Sequence, residues 1–340
     1  MRVTLGFDTS CYTTSAAAVD EHGAVVAAER MLLPVREGQR GLRQSEAVFA
    51  HVRQMPQVME ALSRRLAGVQ VVAVCASARP RDGEDSYMPV FTVGLGHASV
   101  LASTLGVPLY ETSHQQGHIA AGLIGNAAPK GPFVALHLSG GTTELLDCRE
   151  GRLELLGGSE DLHAGQLVDR VGVALGLPFP AGPALERLAV ACPEKAAALL
   201  PASVSRDGLS CHLSGVETQA QRLIRAGELS RERIAAEVYD VLARTVARLL
   251  DGACRRTGAR QALVVGGVAS SALLRRLVGD RLSRLRSPVR VLYGQAQYSA
   301  DNAAGVASIG MQRYLKEHSF IEREEISYAG TAFGRQGYGR

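Results

Sequence analysis

The chain contains the same three-strand unit twice, and few folds can accommodate it. Near the N-terminus residues 3–7 are apolar, 8–14 form a turn of small polar residues, and 15–19 are apolar again. Asp20-Glu21-His22-Gly23 then turns the chain into a third strand over 24–29. Roughly 130 residues later the pattern returns, as fixed-period self-similarity requires. Residues 133–138 read as a strand, Ser139-Gly140-Gly141-Thr142-Thr143 as a glycine-rich turn, 144–147 as a strand, and 153–156 as a third strand after Arg149-Glu150-Gly151. Helical and strand patterns follow both copies, so the chain reads as a duplicated α/β protein. At 340 residues it can form two lobes with proper cores, and a cleft between them is the expected place for a site.

The rest of the chain fills in these lobes. Residues 44–66 carry apolar side chains at helical spacing, with Pro56 as the place for a kink. His51 within that helix is read as a packing or surface residue. A buried-type strand over 69–76 leads into 79–89, a charged loop bracketed by Pro80 and Pro89 and of functional length. A small-residue helix over 94–105 and a short strand over 108–111 follow. In the second half, helices are expected over 164–175, from Ala184, and over 231–255. Residues 261–268 form a strand entering Gly266-Gly267, after which Ser270 or Ser271 caps a helix over 272–282. A strand–glycine–glycine–helix passage lets a ligand approach the main chain where a side chain would block it. A last small-residue helix opens near Tyr298, with Asp301 in its first turn, and the residues from Ile321 read as a mixed-charge tail.

Ser113-His114-Gln115-Gln116-Gly117-His118 stands apart. Ser113 is placed to cap a helix, and His114 and His118 then fall one turn apart on one face. Two imidazoles so arranged can close on one metal ion. On spacing alone, a capping histidine and a packing histidine explain the stretch equally well. A zinc peptidase of the H-E-x-x-H type is excluded, because the positions that would carry its general base are glutamines.

Composition narrows the classes further. Apolar residues make up 46% and charged residues 21%, as in an ordinary globular protein, and the net charge is +4. No apolar run is long enough to span a bilayer and no signal peptide precedes the first strand, so a cytoplasmic protein without a membrane partner is expected. The six cysteines are scattered, without a C-x-x-C pair, and read as reduced, mostly buried thiols. Nearly all positive charge is arginine; the lysines are Lys130, Lys195 and Lys316. That composition permits a nucleic-acid partner without arguing for one.

Two α/β lobes with polar hairpin turns resemble the actin-like (ASKHA) architecture of sugar kinases, Hsp70 and actin, in which the hairpins grip nucleotide phosphates through main-chain N–H groups. The order of motifs is more specific. Asp8-Thr9-Ser10-Cys11, His114 and His118, Ser139-Gly140-Gly141, Ala164-Gly165 with Asp169, Pro180-x-Gly182-Pro183, Gly266-Gly267-Val268 and Asp301-Asn302 resemble the TsaD-like threonylcarbamoyl-transferase family, once labelled glycoproteases, over about residues 1–318. The resemblance implies an actin-like duplicated fold with a nucleotide cleft between lobes. The first lobe would span 1–130 and be completed by a helix over 300–318, the second would span 131–299, and 319–340 would form the tail.

It also implies an activity: transfer of a threonylcarbamoyl group from threonylcarbamoyl-adenylate to N6 of adenine in transfer RNA. His114, His118 and Asp301 fall on the family's metal ligands, a set that suits Fe2+, with Zn2+ or Mn2+ as alternatives. Leu138, Ser139, Gly140, Gly141, Asp169, Gly182, Gly266, Gly267 and Ser271 fall on the nucleotide-binding positions for ATP, ADP, AMP or the adenylate. Thr9, Ser10, Tyr12 and Thr13 line the expected first hairpin, with no catalytic role assigned among them. A protein partner of the same fold is a further implication.

This sequence also departs from the family. Tyr12-Thr13 stands where an acidic pair is usual, and 44–49 replaces a Pro-Glu-Leu-Ala-Ser-Arg element. Thr142 replaces a histidine, Ser271 an asparagine, and the 79–89 loop a glycine-rich segment. These departures point to a diverged paralogue. They leave two other readings open: a catalytically weak nucleotide-binding partner or regulator, and another actin-like carbamoyl- or phospho-transferase acting on small molecules.

Overall fold

Strand alternation explains why the first sheet is covered on both faces. In this computed structural model, which describes residues 1–10, 12–34, 42–83, 86–127, 129, 131–149, 151–194, 196–298 and 303–332 (side chains of 296 and 319–332 excepted), β1 (Arg2–Ser10), β2 (Thr13–Asp20) and β3 (Val25–Leu32) form an antiparallel meander. α1 (Gln44–Arg64) runs through Pro56, followed by β4 (Gln70–Arg79), α2 (Phe91–Leu105), β5 (Leu109–Ser113) and α3 (His114–Leu123). The sheet order is β3-β2-β1-β4-β5, with β4 parallel to both β1 and β5. Val3, Leu5 and Phe7 pack with Met55, Val58 and Leu62 of α1 and with Ala98 and Ala102 of α2. His51 is fully buried in α1, and its Nδ1 meets Thr14 Oγ1 at 2.8 Å, so it is a packing residue.

The second unit repeats the arrangement. β6 (Phe133–Leu138), β7 (Thr143–Arg149) and β8 (Arg152–Ser159) form its meander. Next come α4 (Ala164–Ala174), α5 (Gly182–Ala191), β9 (Ser203–Val204), β10 (Ser210–His212), α6 (Ser214–Ala226), α7 (Arg231–Thr257), β11 (Gln261–Val265), α8 (Ala272–Arg284) and β12 (Arg290–Tyr293). The sheet order is β12-β11-β6-β7-β8-β10-β9, so β8-β7-β6-β11-β12 has the connectivity of β3-β2-β1-β4-β5. The duplicated hairpins of the sequence therefore sit at equivalent places in two equivalent sheets. β9, β10 and β12 were not expected; at two to four residues they carry no readable alternation.

α7 is the spine of the second core. Its apolar residues from Ile234 to Cys254 pack against Val134, Leu136 and Leu138 of β6. Its buried charges are all answered. Glu237 accepts N–H bonds from Ala197 and Leu199, and Asp240 is paired with Arg244 and Arg281. Burial pushes the Cys75 thiol up to about 12 and those of Cys211 and Cys254 up to about 11, which keeps them protonated and inert.

α9 (Ala303–Ala332) returns to the first sheet and continues past Ile321, where the sequence reads as a tail. It covers the face of β1 and β4 opposite α1 and α2: Ala73, Cys75 and Tyr110 pack with Val306, and Thr4 Oγ1 contacts Met311. The chain thus divides into one unit of Met1–Ala121 with Asp301–Arg340, and a second of Gly122–Ala300. Among the described residues no helix is long and apolar enough to cross a membrane.

Helix α9 approaches β1 at Gly6. A Cβ at that position would lie 2.3 Å from the Ala303 carbonyl oxygen and 2.4 Å from the Ala307 nitrogen, and main-chain atoms cannot yield as side chains do. Gly6→Ala is therefore expected to lower unfolding free energy by about 3 kcal/mol in denaturant titration. Gly215→Ala in α6, where a Cβ meets nothing within 4 Å, is expected to change it by no more than about 1 kcal/mol, in the stabilising direction.

Candidate functional site

In the first unit, β1 and α3 bring a carboxylate to an imidazole. The Ser113 hydroxyl accepts the Gln116 N–H and caps α3, so His114 begins the helix and His118 follows one turn later. Their rings meet edge-to-face with centroids 4.7 Å apart. Asp8, buried at the end of β1, places Oδ1 at 3.0 Å and Oδ2 at 3.2 Å from His114 Nδ1. Phe91, the first residue of α2, lies against the other side of the ring at 5.7 Å. Burial by itself raises the Asp8 pKa, but His114 and the hydrogen bonds from Ser77 and Ser10 together outweigh it and leave the carboxyl below its ordinary value.

A carboxylate that accepts the Nδ1–H of a histidine is the arrangement that orients a metal-ligating imidazole. His114 and His118, with Asp8 behind the first, are residues that could hold a divalent metal. Among the described residues, no group of three or more histidine, cysteine, aspartate and glutamate side chains is gathered to hold an ion. The expected third ligand, Asp301, lies outside the described residues.

The Thr9 hydroxyl donates to the Val90 carbonyl (2.8 Å) and accepts the Gly94 N–H (3.0 Å), so it fastens the start of α2 to β1. Ser10 pairs with Thr13 across the hairpin, and the Tyr12 side chain is half exposed while its carbonyl accepts the Leu33 N–H. Cys11 lies outside the described residues. The 79–89 loop is tied to α3 through Gln116 Nε2 to Asp82 Oδ2 (2.9 Å) and the Gln115 N–H to the Pro80 carbonyl (3.0 Å).

In the second unit, several expected residues line a single cavity of about 240 Å³. Gly140, Asp169, Gly182, Gly267 and Ser271 are in its wall, joined by Gly165, Val168, Pro180, Pro183, Glu186, Tyr239, Val268 and Ser270. The first turns of α4 and α5 and the cap of α8 border this space, so the positive ends of three helix dipoles lie near it. Hydrogen bonds hold the wall in place. Thr143 Oγ1 accepts the Ala164 N–H and Ser139 O accepts that of Gly165, which pins the glycine turn to α4. Asp169 Oδ1 accepts the Ala181 N–H at 2.8 Å, and Ser271 Oγ accepts that of Leu274 at 3.1 Å.

Other expected residues support the wall from behind. Leu138 is buried in the core. Gly266, at φ +99°, lies where a Cβ would be 2.3 Å from the Leu138 carbonyl oxygen, so it brings β11 against β6. The Ser139 hydroxyl accepts the Gly141 N–H and shapes the turn. Two wall residues went unanticipated. Glu186 lies one helical turn after Gly182, a spacing that could have pointed to it, and its Oε1 accepts the Leu273 N–H at 2.8 Å. Tyr239, whose hydroxyl donates to the Gly182 carbonyl (3.2 Å), is embedded in the apolar pattern of α7 and gives no signal.

Comparison with known proteins agrees with this geometry. The family model of TsaD, tRNA N6-adenosine threonylcarbamoyltransferase, matches residues 45–308, well over half the chain. The chain belongs to the TsaD family. The match takes in the histidine helix and the whole cavity wall, and it begins after the first hairpin. Among solved structures, HypF from T. kodakarensis superposes with a TM-score of 0.58 at 14% identity, covering 94% of this chain and 48% of that one. A ROK family glucokinase from Streptomyces griseus, in complex with glucose and AMPPNP, gives 0.53 at 15% identity over 91% and 99% of the two chains. The activator of 2-hydroxyisocaproyl-CoA dehydratase from Clostridium difficile, with bound ADPNP, gives 0.51 at 14% identity over 93% and 97%. At such identities the likeness establishes the fold, which is the actin-like one.

The close approach of α4 to the glycine turn is open to test. A Cβ at Gly165 would lie 2.6 Å from Gly140 N, whereas one at Gly182 meets only Val168 Cγ1 at 3.8 Å. Gly165→Ala is expected to lower the thermal midpoint by roughly 3–8 °C, and Gly182→Ala to leave it within about 1 °C.

Proposed function

We propose that this chain is a transferase that moves a threonylcarbamoyl group from threonylcarbamoyl-adenylate to N6 of adenine in transfer RNA. The observation that carries this reading is the second-unit cavity, built by the residues that the family match covers and bordered by helix starts and a glycine turn. The positive ends of the helix dipoles at its border suit the phosphate of an adenylate. Asp169 has Oδ1 engaged by Ala181, so its second oxygen is the one to receive a ribose hydroxyl, and Glu186 lies in the same wall. The nucleotides in the glucokinase and dehydratase-activator structures support an adenine nucleotide as ligand.

In this reading the N6 amine attacks the carbamoyl carbon of the mixed anhydride. The new C–N bond forms, the bond to the adenylate oxygen breaks, N6 loses a proton, and AMP leaves. His114, His118 and Asp301 would hold the metal, with Fe2+ best suited and Zn2+ or Mn2+ as alternatives. When bound it would supply Lewis-acid stabilisation of the charge that develops on the anhydride oxygens. Asp8 keeps His114 in the ligating tautomer and orientation.

A second reading is a nucleotide-binding partner or regulator with little turnover, working beside a protein of the same fold. It is favoured by the first hairpin, where Thr9 is consumed in holding α2 and Tyr12 offers no carboxylate.

The two are separated by incubating the purified chain, reconstituted with Fe2+, with threonylcarbamoyl-adenylate and unmodified transfer RNA, then measuring the modified nucleoside by mass spectrometry. Product is expected, and His118→Ala should lose metal and product together. Tight nucleotide binding without product would favour the partner reading. Independently of activity, Asp8→Asn is expected to weaken metal binding by about 10- to 100-fold in chelator competition, with the thermal midpoint little changed. Unaltered affinity would remove Asp8 from the ligand-orienting role.

A further inference from the structure

Arginine is spread along the whole sequence, but the fold collects it at one end of the second sheet. Arg149 and Arg152 face each other across the β7–β8 hairpin. The Arg149 Nη2 donates to the Thr257 carbonyl at 2.6 Å, which ties the hairpin to the last turn of α7, where Arg256 lies. Gly258, at φ 76°, ends α7 and turns the chain to Arg260, whose carbonyl accepts the Arg290 N–H at 2.9 Å. Arg149, Arg152, Arg260 and Arg290 thus sit at the same ends of β7, β8, β11 and β12, with Arg256 in the adjoining last turn of α7. At strand spacing that is a row of roughly 20 Å.

Opposing charge in this region includes Asp207, which interacts electrostatically with Arg256. Asp147 pairs with Arg149 at 2.6 Å, and Asp251 with the neighbouring Arg255 at 2.7 Å. Glu154 is exposed beside Asp147, and Glu150 lies outside the described residues. Arg152, Arg256, Arg260 and Arg290 are all exposed and, among the described residues, no ion pair engages them. Elsewhere Arg2, Arg64, Arg65, Arg233, Arg244 and Arg281 are ion-paired, while Arg225, Arg231 and Arg276 are exposed and, among the described residues, are not. Favourable interaction with the C-terminal end of the α7 dipole accounts for Arg255 and Arg256, but not for Arg152 or Arg290 on separate strands.

We propose that this arginine row is a docking surface for the sugar–phosphate backbone of RNA. Exposed guanidinium groups in a row match successive phosphates, each able to take a bidentate contact. The surface is separate from the cavity. The glycine turn joins the opposite ends of β6 and β7, and seven residues of β7 place it roughly 20 Å away. A small substrate at the cavity cannot reach that far; a folded RNA can. The choice of RNA as the polyanion rests on transfer RNA being the acceptor.

The test is binding of fluorescently labelled, unmodified transfer RNA to the full-length chain by anisotropy, titrated from about 50 to 200 mM salt, where counterion release is measurable. The variant is R152E/R256E/R260E, which spares Arg149 because that residue has structural hydrogen bonds. A charge-matched control, R225E/R231E/R276E, alters exposed arginines elsewhere. The row variant is expected to reduce the log–log salt slope by about two to three and to weaken binding at least tenfold, with an unchanged thermal midpoint. The control should stay within about twofold. R152Q/R256Q/R260Q should fall between.

Equal loss in both reversal variants, or none in the row variant, overturns the proposal. So does absence of RNA binding by the parent chain, or capture of phosphatidylserine vesicles through these arginines in place of RNA. Docking and transfer fail separately. RNA held by the row without product leaves the surface standing and removes the catalytic reading. Product formed with the same KM by the row variant does the reverse.

Discussion

β1 carries Gly6 where α9 crosses it, and the main chain of one element lies against that of the other with no room for a methyl group. Several contacts of this kind hold the molecule's two functional regions. Gly305 of α9 lies where a Cβ would be 2.0 Å from the Gly117 carbonyl oxygen, so the last helix packs directly on the helix bearing His114 and His118. In the second unit Gly266 brings β11 against the end of β6, and Gly165 brings α4 against the glycine turn. Close main-chain approach fixes distance more firmly than side-chain packing, because no rotamer can absorb an error. The glycines therefore set the geometry from which the polar groups act.

The polar groups divide their work in the same manner on both units. Each strand-to-turn passage spends its hydroxyls on structure: Thr9 holds α2, and Thr143 caps α4. What remains for chemistry is a buried carboxylate that orients an imidazole in one unit, and a ring of helix starts in the other. Asp8 gains from its burial, since a hydrogen bond to imidazole in a low-dielectric setting resists rotation of the ring.

Much of the fold is legible in the residues because its signals are local. The duplicated meanders alternate over enough residues to be read, and α7 shows an apolar stripe over seven turns. β9, β10 and β12 are too short to show any period. Gly140, Gly267 and Ser271 follow strand ends and can be read there, whereas Asp169 and Gly182 lie on helices and come only from the family resemblance; all five share one wall. It is not legible where the partner is distant in the chain. Asp8 lies 106 residues from His114, and only the fold makes them neighbours. Tyr239 reads as core because it is core, and it lines the cavity as well. Likewise the arginines of the row are separated by up to 141 positions, and no window of sequence would group Arg149 with Arg290.

The return of α9 to the first sheet has a consequence for the order in which the chain can be built on the ribosome. Every strand of the second unit lies between residues 133 and 293, so that unit has its whole sheet before α9 has been made. The first sheet is synthesised earlier but has one face bare until residues 303–318 emerge. Val3, Leu5 and Phe7 can collapse on α1 and α2 at once, while Thr4, Gly6 and Cys75 wait for a helix roughly 230 to 300 residues downstream. Asp8 and His114 belong to that waiting half. The region proposed to bind metal is thus the last part of the molecule to acquire its support, which keeps a half-made chain from presenting a finished site.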